Sequence, residues 1–244
     1  ERLTFSSELR AEVLEIDASE ARLLRIRFGE GGARFWSALY RSARPIQYAY
    51  LNAPLELWDV QNRYAARPWA FEQPSAGRPL SFEALFELER RGASLTSITH
   101  AAGISSTGSA SLDARLPLPE RYEISQQAVL AVDHCREQAG RVVAVGTSVV
   151  RALEAGTDAD GNLREGVGVT DLRLSASYRL RGVDGILTGL HEPKTSHFEL
   201  LEAFAPRALL VRAAEHAART GYLQHEFGDS CLILAGALVD RLSS

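Results

Sequence analysis

The segment LTGLHEPKTSHFELLEAF, residues 187–204, holds Lys194, the only lysine of a 244-residue chain whose lysines and arginines together number 27. The two residues interchange at most exposed positions. They differ where a compact ammonium must fit or a proton must come off, because guanidinium stays charged and carries a wide planar fork. Lys194 is therefore a candidate proton-transfer residue, the other explanation being chance survival of one surface lysine. The spacing predicts a strand at DGILTGL, a short loop HEPKT, and a helix SHFELLEAF capped by Thr195 or Ser196. Lys194 then lies at a strand's carboxyl end and just before a helix N-terminus, the edge where open α/β sheets bind ligands. Helix dipole and desolvation both depress a lysine pKa there. His191 puts a second polar group in the same loop, where a backbone-satisfied histidine is the competing reading.

Two further loops share that edge. In RVVAVGTSVVRALEAG a buried strand runs into Gly146-Thr147-Ser148 and a helix starts at once. Glycine permits the tight turn, and free N–H groups at the helix start suit a carboxylate or phosphate; Thr147 and Ser148 serve equally as plain helix caps. Arg151, one turn in, is a ligand contact or a surface charge. In EFGDSCLILAG, Asp229 precedes an apolar strand, as a functional carboxylate or as a turn residue.

The elements that would position these loops alternate. SFEALFELERRG, SQQAVLAVDHCREQAG and PRALLVRAAEHAARTG have helical spacing with starts at Ser81, Ser125 and Pro206 and stops at Gly92, Gly140 and Gly221. Between them lie the strand-like runs SLTSIT, RVVAV, VTDLRL, DGILTGL and CLILAG, which predict an α/β domain with a largely parallel sheet. Residues 3–43, including ARFWSALY, read as β and as part of a small sheet or barrel; ARPIQYAYLNAP is a connector broken by Pro45 and Pro54. With 45% apolar and 24% charged residues the composition is that of an ordinary globular chain. The longest apolar runs are too short for a bilayer, and Cys135 and Cys231 make no metal or redox spacing. A formal charge of −4 means that a nucleic-acid partner would have to meet a local arginine patch.

Taken in order, GRVVAVGTSVVRALE, VDGILTGLHEPKTS, LLEAFA and FGDSCLI resemble the S-adenosylmethionine:tRNA ribosyltransferase-isomerases of queuosine biosynthesis. VQNRYA, PSAGRPLSFEAL and RYEIS fall upstream in the same order, and the similarity runs from about Leu3 to Leu234. The resemblance implies an α/β fold, mostly parallel sheet with helices, plus the remainder of a small inserted β-barrel: residues 1–45 the partial barrel, residues 46–244 the catalytic domain. The start at Glu1 and the absence of methionine lead to the expectation that an N-terminal part is missing.

The implied reaction moves the ribosyl group of S-adenosylmethionine onto a 7-aminomethyl-7-deazaguanine base in tRNA. It rearranges that group to epoxyqueuosine and releases adenine and methionine. S-adenosylmethionine is then a substrate; no separate cofactor, metal or membrane is expected, and the setting is the cytoplasm. Lys194, His191 and Asp229 would carry the proton chemistry. Gly146, Thr147, Ser148 and Arg151 would hold the methionine or ribose end, with Ser75, Gly77 and Glu120 completing the substrate-binding set. The chain departs from the family pattern where SAGRPL puts Pro79 in place of a histidine and THAAGISST leaves His100 displaced. RLPLPE keeps Glu120 but has Arg115 and Leu118 for two histidines, and Gly189 stands for an asparagine. These departures leave two alternatives: a homologue acting on a small nucleoside, or a non-catalytic protein binding S-adenosylmethionine or a nucleoside.

Overall fold

The computed structural model describes residues 1–48, 50–65, 67–68, 70–193 and 195–236. Lys194 lies outside the described residues. The chain divides into two compact units, residues 1–61 with 106–115, and residues 62–105 with 116–244, so residues 46–61 group with the first unit and not with the second.

In the first unit β1 (Arg2–Thr4), β2 (Arg10–Ile16) and β3 (Leu24–Phe28) form an antiparallel meander, with a bulge between Val13 and Glu15. ARFWSALY, expected as β, is instead the helix α1 (Gly32–Ser42). Its apolar residues recur at four-residue spacing, Phe35 with Leu39 and Trp36 with Tyr40, which a short window cannot tell from a strand. Phe35 packs on Phe28 at 4.8 Å between ring centroids. A short α2 (Leu57–Val60) follows.

The second unit contains α3 (Phe82–Arg90), β4 (Thr99–His100), β5 (Glu120–Ile124), α5 (Gln126–Glu137), β6 (Val143–Val145), α6 (Thr147–Gly156), β7 (Gly166–Thr170), β8 (Gly185–Gly189), α7 (Ser196–Leu201), α8 (Arg207–Arg219) and β9 (Ser230–Leu234); α4 (Ala110–Asp113), in between, belongs to the first unit. The helix starts at Ser81, Ser125 and Pro206 occur as expected. Ser81 and Ser125 each accept a backbone N–H three residues on, a cap contributing about 1 kcal/mol.

The largely parallel sheet does not form. Two three-stranded sheets appear instead, β4-β5-β7 and β6-β8-β9, and among the described pairs only β6–β8 is parallel. Alternation of helix and strand reads as repeated crossovers only if successive strands join one sheet; here β5 and β7 pair in one sheet while β6, between them in the chain, joins the other. Between β8 and β9 the chain makes two helices, not one, and returns to the end it left, so Gly189 faces Ser230 and the pair is antiparallel. ERYEI, which the sequence reading passed over, supplies the central strand β5. The core packs Ile124, Val150, Leu153, Ile186, Phe198 and Leu201 between these sheets and helices, each fully buried large side chain contributing about 1.5–3 kcal/mol.

Candidate active site

β6 ends at Val145 and α6 begins at Thr147, so Gly146 must reverse the chain in a single residue. It does so at φ +103°, a conformation that side chains disfavour, while donating its N–H to the Leu187 carbonyl at 2.9 Å. A Cβ at this position would meet the Ala76 methyl at 3.4 Å. The tight Ser75–Gly77 turn therefore sits directly against the Gly146 turn. Gly77 itself serves packing: a Cβ there would lie 2.6 Å from the Tyr64 ring. No side chain caps α6, and Thr147 is buried.

One helical turn on, Arg151 is 5% exposed and points inward rather than to the surface. Its Nε donates to Glu120 Oε2 at 3.0 Å, its Nη2 donates to the same oxygen, and Nη2 also donates to Ser148 Oγ at 3.1 Å. Glu120, equally buried on β5, accepts the Gly103 N–H on Oε1 at 2.7 Å. Both carboxylate oxygens are thus occupied. Glu120 positions Arg151, whose Nη1 has no hydrogen-bond partner among the described residues.

The end of β8 carries the histidines. His191 shares a 2.8 Å hydrogen bond between Nε2 and Thr188 Oγ1, and its ring stacks on His197 at 5.0 Å and 15°. His197 is the second residue of α7, a helix capped by Thr195, whose Oγ1 accepts the Phe198 N–H. Burial pushes His191 down to about 4, with a smaller push from His225. Burial likewise takes His197 to about 3, helped by His191 and Arg151. At neutral pH both imidazoles are uncharged and able to accept or donate a proton. His225 takes a left-handed backbone at φ +69° and lies 3.6 Å from Glu192 Oε1.

Asp229 lies beside the Gly189–Ser230 pair at this end of β8. One of its two carboxylate oxygens is taken by the fold, and Oδ1 accepts no hydrogen bond among the described residues. Asp229 Oδ2 accepts the Leu223 N–H at 2.8 Å, closing the turn 223–229, and the residue is exposed.

A last group lines the unit between residues 72 and 105. Glu72 Oε1 accepts both the N–H and the hydroxyl of Ser105, at 2.7 and 2.6 Å. Burial raises the Glu72 pKa against these bonds, and the charges of Glu226 and Glu120 add to the rise. His100, on β4, leaves Nδ1 buried without a partner. It is pushed below its ordinary value, chiefly by burial and further by Arg151, with Glu120 opposing. His100 is therefore coupled to the Arg151–Glu120 pair, although its segment matches the family pattern poorly.

The structure brings together Gly146, Ser148, Arg151 and Glu120 directly, Ser75 and Gly77 through Ala76, and His191 through β8. Sequence reasoning missed His197, Thr188, Glu72 and Ser105. The spacing Thr188-x-x-His191 and a histidine two residues past a helix cap were visible signals for the first two. Nothing local marks Glu72, whose partner lies 33 residues downstream. The assembly offers a backbone turn for an anion, a fixed guanidinium, neutral imidazoles and a carboxyl of raised pKa, a set suited to a charged nucleoside substrate and proton transfer.

A family model described as "Queuosine biosynthesis protein" matches residues 1–233. The chain is 34% identical over 241 residues to the S-adenosylmethionine:tRNA ribosyltransferase-isomerase of Gloeobacter violaceus, covering 97% of this chain and 68% of that protein. It is 37% identical over 196 residues to the enzyme of the same name from Prochlorococcus marinus, covering 79% and 53%. The crystal structure of S-adenosylmethionine tRNA ribosyltransferase from Thermotoga maritima shares the fold, with a TM-score of 0.53 at 23% identity over 96% of this chain and 65% of that one. The chain thus spans between about half and two thirds of the length of these relatives. On the match over nearly its whole length, this chain belongs to the queuosine biosynthesis protein family.

Proposed function

We propose that this chain is an enzyme that transfers the ribosyl group of S-adenosylmethionine to a 7-aminomethyl-7-deazaguanine base in tRNA and isomerises it to epoxyqueuosine. The observation that carries this reading is the linked arrangement of Gly146, Ser148, Arg151 and Glu120 beside the His191–His197 stack, in a chain whose relatives bear that enzyme's name. The Gly146 turn, with the backbone of Thr147 and Ser148, takes the anionic methionine end of the donor; the open Nη1 of Arg151 takes a donor oxygen. Glu120 and the Ser75–Gly77 turn hold these groups in place. His191, neutral and fixed by Thr188, exchanges protons at the ribosyl carbons. Lys194 joins it on sequence position alone. Asp229 holds the turn that closes this end of β8. S-adenosylmethionine is consumed as substrate with no separate cofactor, and tRNA locates the reaction in the cytoplasm. We assign the β1–β3 meander to the family's inserted barrel.

The test is incubation of the protein with S-adenosylmethionine and precursor-bearing tRNA, following free adenine and base modification. Adenine release that depends on the tRNA supports the reading. Release with a free nucleoside instead selects the small-nucleoside homologue, and donor binding without adenine selects the non-catalytic one. In the same assay Lys194→Arg should lower turnover by about two decades or more, because arginine cannot release its proton. Near-normal turnover would return Lys194 to a surviving surface charge.

A further inference from the structure

Three carboxylates in the second unit, Glu120 and Glu154 buried and Glu72 half-buried, are used differently. Glu120 has both oxygens engaged, by Arg151 and by Gly103. Glu154 has both engaged as well, by the backbone N–H groups of Arg181, Gly182 and Val183. Glu72 differs. Its Oε1 is held twice by Ser105, while Oε2 has no hydrogen-bond partner among the described residues. Ser105 belongs to a loop whose Gly103 is tied to Glu120 and so to Arg151. Glu72 thus keeps one oxygen without a protein hydrogen bond, on a loop tied to the frame that holds the guanidinium.

We propose that Glu72 is the base that takes a proton from the acceptor's primary ammonium, so that Glu72 is a catalytic residue of the transfer. This rests on the transferase reading above. An aminomethyl group is an ammonium at neutral pH, like a lysine side chain, and has no free electron pair with which to attack a ribosyl carbon. In the step assigned to Glu72, one N–H bond of the ammonium breaks and its electron pair stays on nitrogen as the nucleophile. The proton passes to Oε2, and the carboxylate becomes a neutral carboxyl. The surroundings favour both halves of the exchange. Glu226 and Glu120 contribute negative charge that draws a cation in. Once the cation has given up its proton, burial and the same charges favour the neutral carboxyl. Arg151 offsets part of the Glu120 charge, and His100, held neutral, adds none.

The test compares product formation by wild type, Glu72→Gln and Glu72→Asp between about pH 6 and about pH 10, the upper end approaching the ordinary range of a primary amine. Gln keeps the oxygen that Ser105 holds but cannot take a proton. Its turnover should fall about 10²-fold or more near neutrality. The deficit should then shrink about tenfold per pH unit, as solution deprotonates the amine instead. Glu72→Asp should run slower than wild type with an unchanged pH profile, since the carboxylate survives. A Gln deficit that is the same at every pH, wild-type turnover in Gln, or a tenfold-per-unit rise in Asp would each overturn the assignment. Absence of product from the wild type would instead overturn the transferase reading, and the role of Glu72 with it.

Discussion

Helix α6 buries two charged side chains three residues apart, Arg151 and Glu154, and the fold uses them differently. The Glu154 carboxylate accepts three backbone N–H groups from residues 181–183 and the Tyr178 hydroxyl, so every lone-pair direction is spent on holding a loop. Arg151, by contrast, is pinned by Glu120 and Ser148 and keeps Nη1 open. Burial of charge alone does not mark a functional site. Hydrogen-bonding capacity left over after the fold is satisfied does.

The largest effects should come from removing either buried charge of α6. Glu154→Ala strands three N–H groups and a phenol in the interior, and Arg151→Ala strands the Glu120 carboxylate; each should cost about 3–5 kcal/mol in urea unfolding. The two should separate in ligand binding. Folded Glu154→Ala should bind S-adenosylmethionine as wild type does, whereas Arg151→Ala should bind it at least about tenfold more weakly, the loss expected of one charge-assisted contact. Equal affinities in the two variants would erase the distinction between the two charges.

The same distinction explains what the sequence could disclose. Gly146 was legible because a single glycine between an apolar strand and a helix has few other uses, and its φ of +103° bears that out. The caps at Ser81 and Ser125 were legible because a hydroxyl serves the N–H three residues on, within reach of local pattern. Sheet direction was not, since it depends on which sheet each strand joins, and β6 leaves the sheet that its chain neighbours β5 and β7 share with no local mark. The Arg151–Glu120 pair spans 31 residues and the Glu72–Ser105 pair 33, so neither has a periodicity to betray it. The chemistry-bearing loops were visible one at a time, while the bonds that decide which atoms remain open were not.

A middle-sized effect should sharpen the contrast through pH. His191 and His197 are held neutral, with folded values of about 4 and about 3 against an ordinary 6.5. Their folded values are depressed, so the unfolded chain binds protons first. Stability is therefore full above the ordinary value and drains as pH falls from about 6.5 toward about 4 for His191 and about 3 for His197. Each should remove about 2 kcal/mol between about pH 8 and about pH 5. His197→Phe keeps a flat ring against His191 and cannot be protonated, so its unfolding free energy should lose about half as much over that range. An unchanged slope, measured by urea melts at the two pH values, would mean that His197 is hydrated in solution and that the stack is not a closed one.

The smallest effect belongs to Asp229, and it probes the comparison most directly. Its position at the end of β8, beside Gly189 and Ser230, is where a catalytic carboxylate would be sought. Its Oδ2 is spent on the Leu223 N–H, whereas Glu154 has both oxygens spent on its loop; Asp229 keeps Oδ1 open but is exposed. Asparagine offers the same carbonyl acceptor to that N–H and has no proton to exchange. Asp229→Asn should therefore change stability by no more than about 0.5 kcal/mol and leave turnover within about threefold, well short of the 10²–10⁴-fold that loss of an acid–base group brings. Asp229→Ala, which removes the acceptor, should cost about 1 kcal/mol, the scale of one net hydrogen bond. A loss of two decades in the asparagine variant would show that a carboxylate with one oxygen committed to a turn can still act through the other. The open oxygen would then be the feature that Asp229 shares with Glu72, and commitment to a turn would no longer separate the structural carboxylates of this unit from the chemical ones.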